Sequence, residues 1–529
     1  MTQKLCYNYS INRGKTMKRK KLPIGISTLR KIIENDYLYI DKTKIALDLI
    51  NGDGEYYFLS RPRRFGKSLF LDTLRTIFDG DKEIFKDLYI YDKYEFEKYP
   101  VIRISFNSGD FSSKEAFHKR IHTILDDNQE DLNVQCPKGY NSSDCFGRLI
   151  RETYKKYNKK VVILVDEYDK PILDNIDNKE VATIIRDELR NFYSVIKGAD
   201  EYLKFVFITG VSKFAKVSLF SGLNNINDIT LNKKYATICG YTQNDVETSF
   251  KSHLVDVDMK KLKQWYNGYK FLGEGVYNPF DILLFIDNNC EYRNYWFSTA
   301  TPSFLMKILQ LNNYFLPNLE NIVKDEDMLN SFDVDCIELE TLMWQTGYLT
   351  ISHTQTVFDS IEYHLAIPNQ EVRQSLLGSI ARFLTKNTNA VTPTNNIKKA
   401  LFNQDFDSFE INLKSLYSAI SYQLFTKNDM NTKEGYFVSV FYAYIKALGF
   451  DIVCEDNTNK GRIDITIKMP NSIILIEFKT DGTSALQQIK DKKYHERYMS
   501  EDLPVFIVGI EFDTEDKNIS KLEWEEIVF

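Results

Sequence analysis

Ser60-Arg61-Pro62-Arg63-Arg64-Phe65-Gly66-Lys67-Ser68 decides how the first half of the chain is read. It follows the short apolar run Tyr56–Leu59 and precedes Leu69, Leu71, Leu74, Ile77 and Phe78, which are spaced for one face of a helix. Strand, loop and helix in that order are what a phosphate-binding loop requires. Loop amides and the free N–H groups of the helix N-terminus cradle phosphates, a lysine reaches the outer ones, and a hydroxyl joins magnesium. Lys67 and Ser68 fill the last two roles, and Arg64, Phe65, Gly66 and Leu69 complete the expected nucleotide contact. The pattern G-x-x-x-x-G-K-[ST] has a glycine where Arg61 stands, so the loop must turn without that freedom. Arg61, Arg63 and Arg64 read either as ligands of phosphate or nucleic acid or as residues that hold the loop through ion pairs. The sequence does not separate the two.

Further along, Val161-Val162-Ile163-Leu164-Val165-Asp166-Glu167 is an apolar strand ending in two carboxylates. An aspartate at this place holds magnesium through water, and a following glutamate polarises the attacking water, which are the roles expected of Asp166 and Glu167. The run Phe205–Ile208 leads into Thr209-Gly210-Val211-Ser212-Lys213, where Thr209, at a strand's carboxyl end, is placed to sense the outermost phosphate. With Val101–Phe106 these make four short, nearly continuous apolar runs, the pattern of strands buried on both faces of a parallel sheet. Helix capping by Ser68 and a turn at Asp166 would explain each residue singly. They do not explain why both stand in order on matching elements.

Near the C-terminus stands Gly461-Arg462-Ile463-Asp464-Ile465-Thr466-Ile467-Lys468-Met469, then Pro470-Asn471, then Ser472-Ile473-Ile474-Leu475-Ile476-Glu477-Phe478-Lys479. A two-residue hairpin at Pro470-Asn471 pairs residues whose numbers sum to 941 and sets Asp464 across from Glu477, about 5 Å apart at Cβ. Lys479 falls on the same face as Glu477 because strand side chains alternate. Two carboxylates are hard ligands for magnesium, with manganese an alternative, and a lysine beside them stabilises developing negative charge. Asp464, Glu477 and Lys479 are therefore the candidate catalytic residues. Glu434, at the start of a helix-like run, is a further candidate metal ligand.

The 529 residues exceed what one hydrophobic core holds, so two or three domains are expected. Hydrophobic residues at 43% and charged residues at 27% suit a folded globular chain. No apolar run reaches the roughly 18 residues of a membrane span and no secretory signal is evident, so the expected location is the cytoplasm. Seven scattered cysteines with no C-x-x-C pair indicate neither a disulfide framework nor a zinc knuckle. A net charge of -6 means that any nucleic-acid groove has to be a local basic patch. His118 and His122 lack a third ligand and read as surface residues. Residues 1–21 form a basic tail, within which Met17 is an alternative start.

Taken together, the motifs resemble the bacterial AAA-ATPase-like family whose members carry a C-terminal domain of the PD-(D/E)xK nuclease superfamily. The resemblance rests on Arg61 to Leu69, on Asp166-Glu167-Tyr168-Asp169-Lys170-Pro171, on Thr209 to Phe214, and on Gly461 to Asp464 with Glu477-Phe478-Lys479. It implies that the arginine at the first glycine position is a family habit. It also implies an α/β fold: a P-loop NTPase parallel sheet over 22–240, a helical middle, lid-like region over 241–385, and a restriction-endonuclease-like α/β domain over 397–529. Residues 386–396 are the expected linker. Family members often add a Gln-x-x-x-Tyr pair, whereas Gln488 and Tyr494 stand six apart here. The expected partners are ATP with magnesium and nucleic acid, DNA favoured, without a membrane; a homo-oligomer is left open. The leading expectation is an ATP-coupled metal-dependent nuclease, in defence or mobile-element biology. The alternatives are an ATP-driven regulator whose nuclease-like domain binds without cutting, and an ATP-binding scaffold.

Overall fold

The computed structural model describes residues 19–528 except 138, 214–224, 297–304, 307, 310–313, 331–337, 386–390 and 421–433. The four apolar runs form strands β1 (Tyr56–Ser60), β2 (Val101–Ser105), β3 (Val161–Asp166) and β4 (Leu203–Gly210), joined by a two-residue β5 (Asn227–Asp228). All pair in parallel, in the order β2-β3-β4-β1-β5. β1 and β3 are buried along their whole length, as the unbroken apolar runs require, whereas β2 at the sheet edge alternates between buried and half-buried residues. The register aligns Ser105 with Asp166 and Ser60 with Gly210, so the carboxyl ends of four strands open on one side of the sheet. Ligands of open α/β sheets bind at that edge.

The middle region is largely helical and adds a small antiparallel sheet, ordered β6 (Ile322–Lys324), β8 (Ser360–Ala366), β7 (Thr350–Val357). Its helix Pro279–Asp287 returns to the first domain, lining one cavity together with Gly66, Lys67 and Ser68. The helix Gln370–Thr385 packs instead against the helix Glu434–Ala447 of the last domain.

The C-terminal sheet has the order β13 (Asn518–Ile527), β12 (Val505–Asp513), β11 (Ser472–Lys479), β10 (Gly461–Met469), β9 (Asp451–Thr458). Only β11 and β12 run parallel, and the crossover that such a pair needs is supplied by the helix Ala485–Lys492. β10 and β11 form the expected hairpin: Ile465 faces Ile476 and Met469 faces Ser472 across the Pro470-Asn471 tip.

Three expectations change. Residues 391–396 of the expected linker begin the helix Val391–Phe402, so any break is confined to 386–390, outside the described residues. Lys21 does not belong to a tail: it bridges to Tyr37, and its carbonyl accepts the Leu38 N–H. Residues 1–18, including Met17, lie outside the described residues. Although no disulfide was expected, Cys136, in the loop after the helix Lys114–Leu132, is joined by a disulfide to Cys145 in the helix Ser142–Tyr157.

Candidate functional site

From the end of β1 the chain turns through Arg64 (φ 66°) and Gly66 (φ 94°) into the helix Lys67–Phe78. Both residues are left-handed, which glycine adopts freely and an arginine only at a cost of about 1–3 kcal/mol; such strain gathers at ligand loops. No side chain caps this helix N-terminus, so its first N–H groups are left to an anion. The Lys67 ammonium is buried and donates to the carbonyls of Arg61 and Pro62 at 2.9 Å each, closing the loop on itself. Burial holds it below the usual lysine range, while the Asp166 charge pulls the other way.

Arg61 resolves the question its position raised. Its guanidinium is fully buried and donates to the carbonyls of Ser60, Thr230 and Tyr235 at 2.8–3.2 Å, with Cζ 3.8 Å from the centre of the Phe271 ring. It touches backbone behind the loop and does not reach the cavity. The fan of donors pins the loop against the segment after β5, doing by side chain what a glycine would do by flexibility. Phe65 is likewise a core residue, edge-on to Tyr269 at 4.8 Å.

The loop opens on a cavity of about 590 Å³. Its lining mixes the polar residues Arg64, Lys67, Ser68, Asn107 and Glu167 with apolar ones such as Leu69 and Leu283. Arg64 also lies over the Phe280 ring at 3.9 Å, joining the loop to the helix Pro279–Asp287 of the middle region. A cleft of this size, lined by both phosphate donors and apolar side chains, has the two chemistries of a nucleotide.

Asp166 is fully buried. One oxygen accepts from the Asn107 amide at 3.2 Å, and the other, Oδ1, is buried with no hydrogen-bond partner. A buried unsatisfied carboxylate oxygen is costly, and hydrated magnesium is a partner that would relieve it. Glu167, half-buried with φ 51°, faces the cavity, and burial raises its carboxyl above the usual range. Asn107 was not picked out from the sequence, where an asparagine after a strand reads as a turn residue; only the β2–β3 register brings it to Asp166.

Thr209 does not take the role expected of it. Its hydroxyl donates to the Leu59 carbonyl at 2.9 Å, inside the sheet and away from the cavity. The following turn is organised by buried Asp169, which accepts from the N–H groups of Val211 and Ser212 and from the Ser212 hydroxyl. Gly210 lies between: a Cβ there would stand 2.4 Å from Asp169 Oδ1 and 2.5 Å from the Tyr168 ring, so only glycine fits. Phe214 lies outside the described residues.

In the C-terminal domain the hairpin carries Asp464 to β11, where Oδ2 accepts the Phe478 N–H at 2.9 Å, between Glu477 and Lys479. Lys479 Nζ stands 3.7 Å from Glu477 and 4.0 Å from Glu434. Glu434 opens its helix, and Phe441 on the same helix packs edge-on against Phe478 at 5.1 Å. All four residues singled out therefore meet at one end of β11.

Glu477 is 2% exposed, and its Oε2 is buried with no hydrogen-bond partner, while Oε1 accepts from the Gln488 amide. Gln488 thus reaches the site, and the site in turn acts on Tyr494, whose phenol is raised first by burial and then by the Glu477 charge. Burial, then the Asp464 charge, push Glu477 up to about 8. Burial likewise raises Asp464 and Glu434. Carboxyls that resist ionising until a cation arrives fit a divalent-metal site, and magnesium is often held by one or two carboxylates plus water. Among the described residues no group of three or more His, Cys, Asp or Glu is spaced to hold a metal ion, so an ion here would rest on the Asp464–Glu477 pair and solvent. Among them too, no helix is long and apolar enough to cross a membrane.

Comparison with known proteins bears on both sites. Residues 23–220 match the family model described as predicted AAA-ATPase, and residues 432–522 the one described as PD-(D/E)XK nuclease superfamily. Over 510 residues the chain is 43% identical to the "Uncharacterized protein in vnfD 5'region" of Azotobacter chroococcum mcd 1, spanning 95% of this chain and 98% of that one. The crystal structure of Cdc6p from Pyrobaculum aerophilum is similar at 12% identity over 71% of this chain and 97% of that one, with a TM-score of 0.21, too low for the two architectures to be equated.

Proposed function

Because the chain belongs to the predicted AAA-ATPase-like family with a C-terminal PD-(D/E)XK nuclease superfamily domain, we propose that it hydrolyses ATP at the Lys67 loop and cuts a phosphodiester, DNA by preference, at the Asp464–Glu477–Lys479 cluster. The observation that carries this reading is the meeting of Asp464, Glu477 and Lys479 on one hairpin, with an unsatisfied buried oxygen on Glu477.

At the first site Lys67 leaves the loop carbonyls for the outer phosphates, the helix N-terminus holds the inner ones, and Glu167 accepts a proton from the attacking water. Ser68 and Asp166 are the residues that would hold magnesium, which would neutralise phosphate charge. At the second site, Asp464 and Glu477 would hold a divalent ion, whose chemistry when bound would be to lower the pKa of a water and polarise the phosphodiester. Glu434 stands 4.0 Å from Lys479 and orients its ammonium, and Lys479 stabilises the charge that develops on the phosphate oxygens. The cytoplasm is the compartment this chemistry suits.

One observation favours a second reading, an ATP-driven regulator that binds without cutting: the cluster has fewer than three closely spaced ligand side chains. Incubating linear and circular DNA with the full chain and Mn²⁺, beside Asp464→Ala, separates the two. Cleavage that Asp464→Ala abolishes supports the nuclease; Mn²⁺ binding without cleavage of DNA or RNA supports the regulator.

A further inference from the structure

The helix Glu434–Ala447 supplies Glu434 to the nuclease-type cluster, yet much of what holds this helix in place comes from the middle region. The Glu320 carboxylate, at the end of a short turn Leu316–Glu320, accepts from the Tyr442 hydroxyl at 2.5 Å and pairs with the Lys446 ammonium at 2.9 Å. Lys446 is 4% exposed and also donates to the Ile452 carbonyl of β9 at 3.1 Å. One turn earlier the Ser439 hydroxyl accepts the Leu316 N–H at 3.2 Å, and Gly435, next to Glu434, lies against the Phe315 ring. On another face Tyr444 donates to the Ala381 carbonyl of the middle region at 3.4 Å.

These contacts run nearly the full length of the helix. A buried ammonium with one carboxylate partner is the strongest of them, because removing the carboxylate leaves the charge stranded. Glu320 touches neither the metal position nor Lys479, and nothing in the P-loop motif or the hairpin motif points to it. We propose that Glu320 is a positioning residue for the nuclease-type site: through Lys446 and Tyr442 it sets the helix so that Glu434 stands against Lys479, and the site is thereby assembled across the boundary between the middle region and the C-terminal domain.

The inference rests on the reading of Asp464 and Glu477 as a metal site, and its test keeps the two apart. Mn²⁺ binding to the full chain is followed by isothermal titration calorimetry in the wild type, Asp464→Ala, Glu320→Gln and Tyr442→Phe, with ATP turnover as a control on the first domain. Binding in the wild type that is lost in Asp464→Ala establishes the site itself; its absence in the wild type overturns the metal reading and this inference with it. Glu320→Gln is then expected to weaken the Asp464-dependent Mn²⁺ binding about tenfold, the scale of loss for groups that orient ligands, with ATP turnover unchanged. The exchanged pair Glu320→Lys with Lys446→Glu is expected to recover most of the loss. Should Glu320→Gln fail to fold, Tyr442→Phe removes one hydrogen bond to the same carboxylate and is expected to give a smaller shift in the same direction. Mn²⁺ affinity within twofold of wild type in a folded Glu320→Gln, or in Tyr442→Phe where that variant is the one read, overturns the proposal.

Discussion

Asp464 Oδ2 accepts the backbone N–H of Phe478 at 2.9 Å, and that single bond ties the two halves of the hairpin motif together at the residue between Glu477 and Lys479. Asp464 therefore has two duties, one oxygen to the backbone and its charge to a metal. Asp464→Asn keeps a carbonyl oxygen for the Phe478 N–H but loses the charge. We expect it to retain the fold while weakening Mn²⁺ binding at least tenfold and reducing cleavage by two orders of magnitude or more. ATP turnover, some distance along the chain, is expected to survive. Calorimetry and a cleavage time course read the two effects, and a melting curve checks the fold.

Arg61 stands where a phosphate-binding loop has its first glycine, and its contacts are all with carbonyls and the Phe271 ring. Arg61→Met keeps the packing chain and removes the donors. The expected result is a loss of about 3 kcal/mol in stability, because three buried carbonyls lose their partner, with nucleotide affinity of the folded fraction changed less than threefold. Lys67→Ala frees two loop carbonyls and is expected to cost less, about 2 kcal/mol, while abolishing turnover. Denaturant unfolding and a fluorescent-nucleotide titration distinguish them.

Glu167 faces the cavity beside Lys67, with its carboxyl raised by burial, a shift in the direction that strengthens a general base. Glu167→Gln is expected to bind ATP as tightly as wild type while turning it over about 10² to 10⁴ times more slowly. Equal losses in binding and turnover would remove Glu167 from the chemistry.

The pH dependence follows from Glu477, whose carboxyl is pushed from 4.5 up to about 8, chiefly by burial. Between those values the native state holds a proton that the unfolded chain has lost, so stability without metal falls as pH rises through the window. A metal competes with that proton. Mn²⁺ affinity is therefore expected to strengthen from about pH 6 to about pH 8 and then level off. Glu477→Gln removes the proton and is expected to flatten the stability profile over the same range. A profile equally steep in that variant would assign the effect to another group.

The buried elements were legible because burial on both faces leaves an unbroken apolar run, as in Val161–Val165 and Ile473–Ile476. The hairpin register was legible because a two-residue tip leaves one way to pair its arms. β9 and β13 were not: Glu455 and Asn457 in one, and Glu523, Glu525 and Glu526 in the other, are polar residues an edge strand carries toward water, and they interrupt the apolar pattern of a strand. Asn107 and Gln488 were missed or doubted for a different reason. Asn107 lies beyond the end of β2 and Gln488 on the helix Ala485–Lys492, whereas their partners Asp166 and Glu477 stand on β3 and β11, and spacing along the chain carries no trace of that. Thr209 was misplaced because a strand's end fixes where a residue sits but not which way its hydroxyl turns. Arg61 supports the phosphate loop from behind and Asp169 holds the turn after β4, roles that the sequence positions alone could not distinguish from ligand contact.

The central claim is that two chemistries share one chain and that the second answers to the first. The most direct test is the initial rate of DNA cleavage in Mn²⁺ as ATP is titrated, in the wild type and in Lys67→Ala, with Asp464→Ala as the blank. The account predicts cutting that disappears in Asp464→Ala and changes severalfold with ATP in the wild type but not in Lys67→Ala. ATP turnover in the wild type with no cutting of any DNA or RNA offered, under conditions where Mn²⁺ binds, would contradict it.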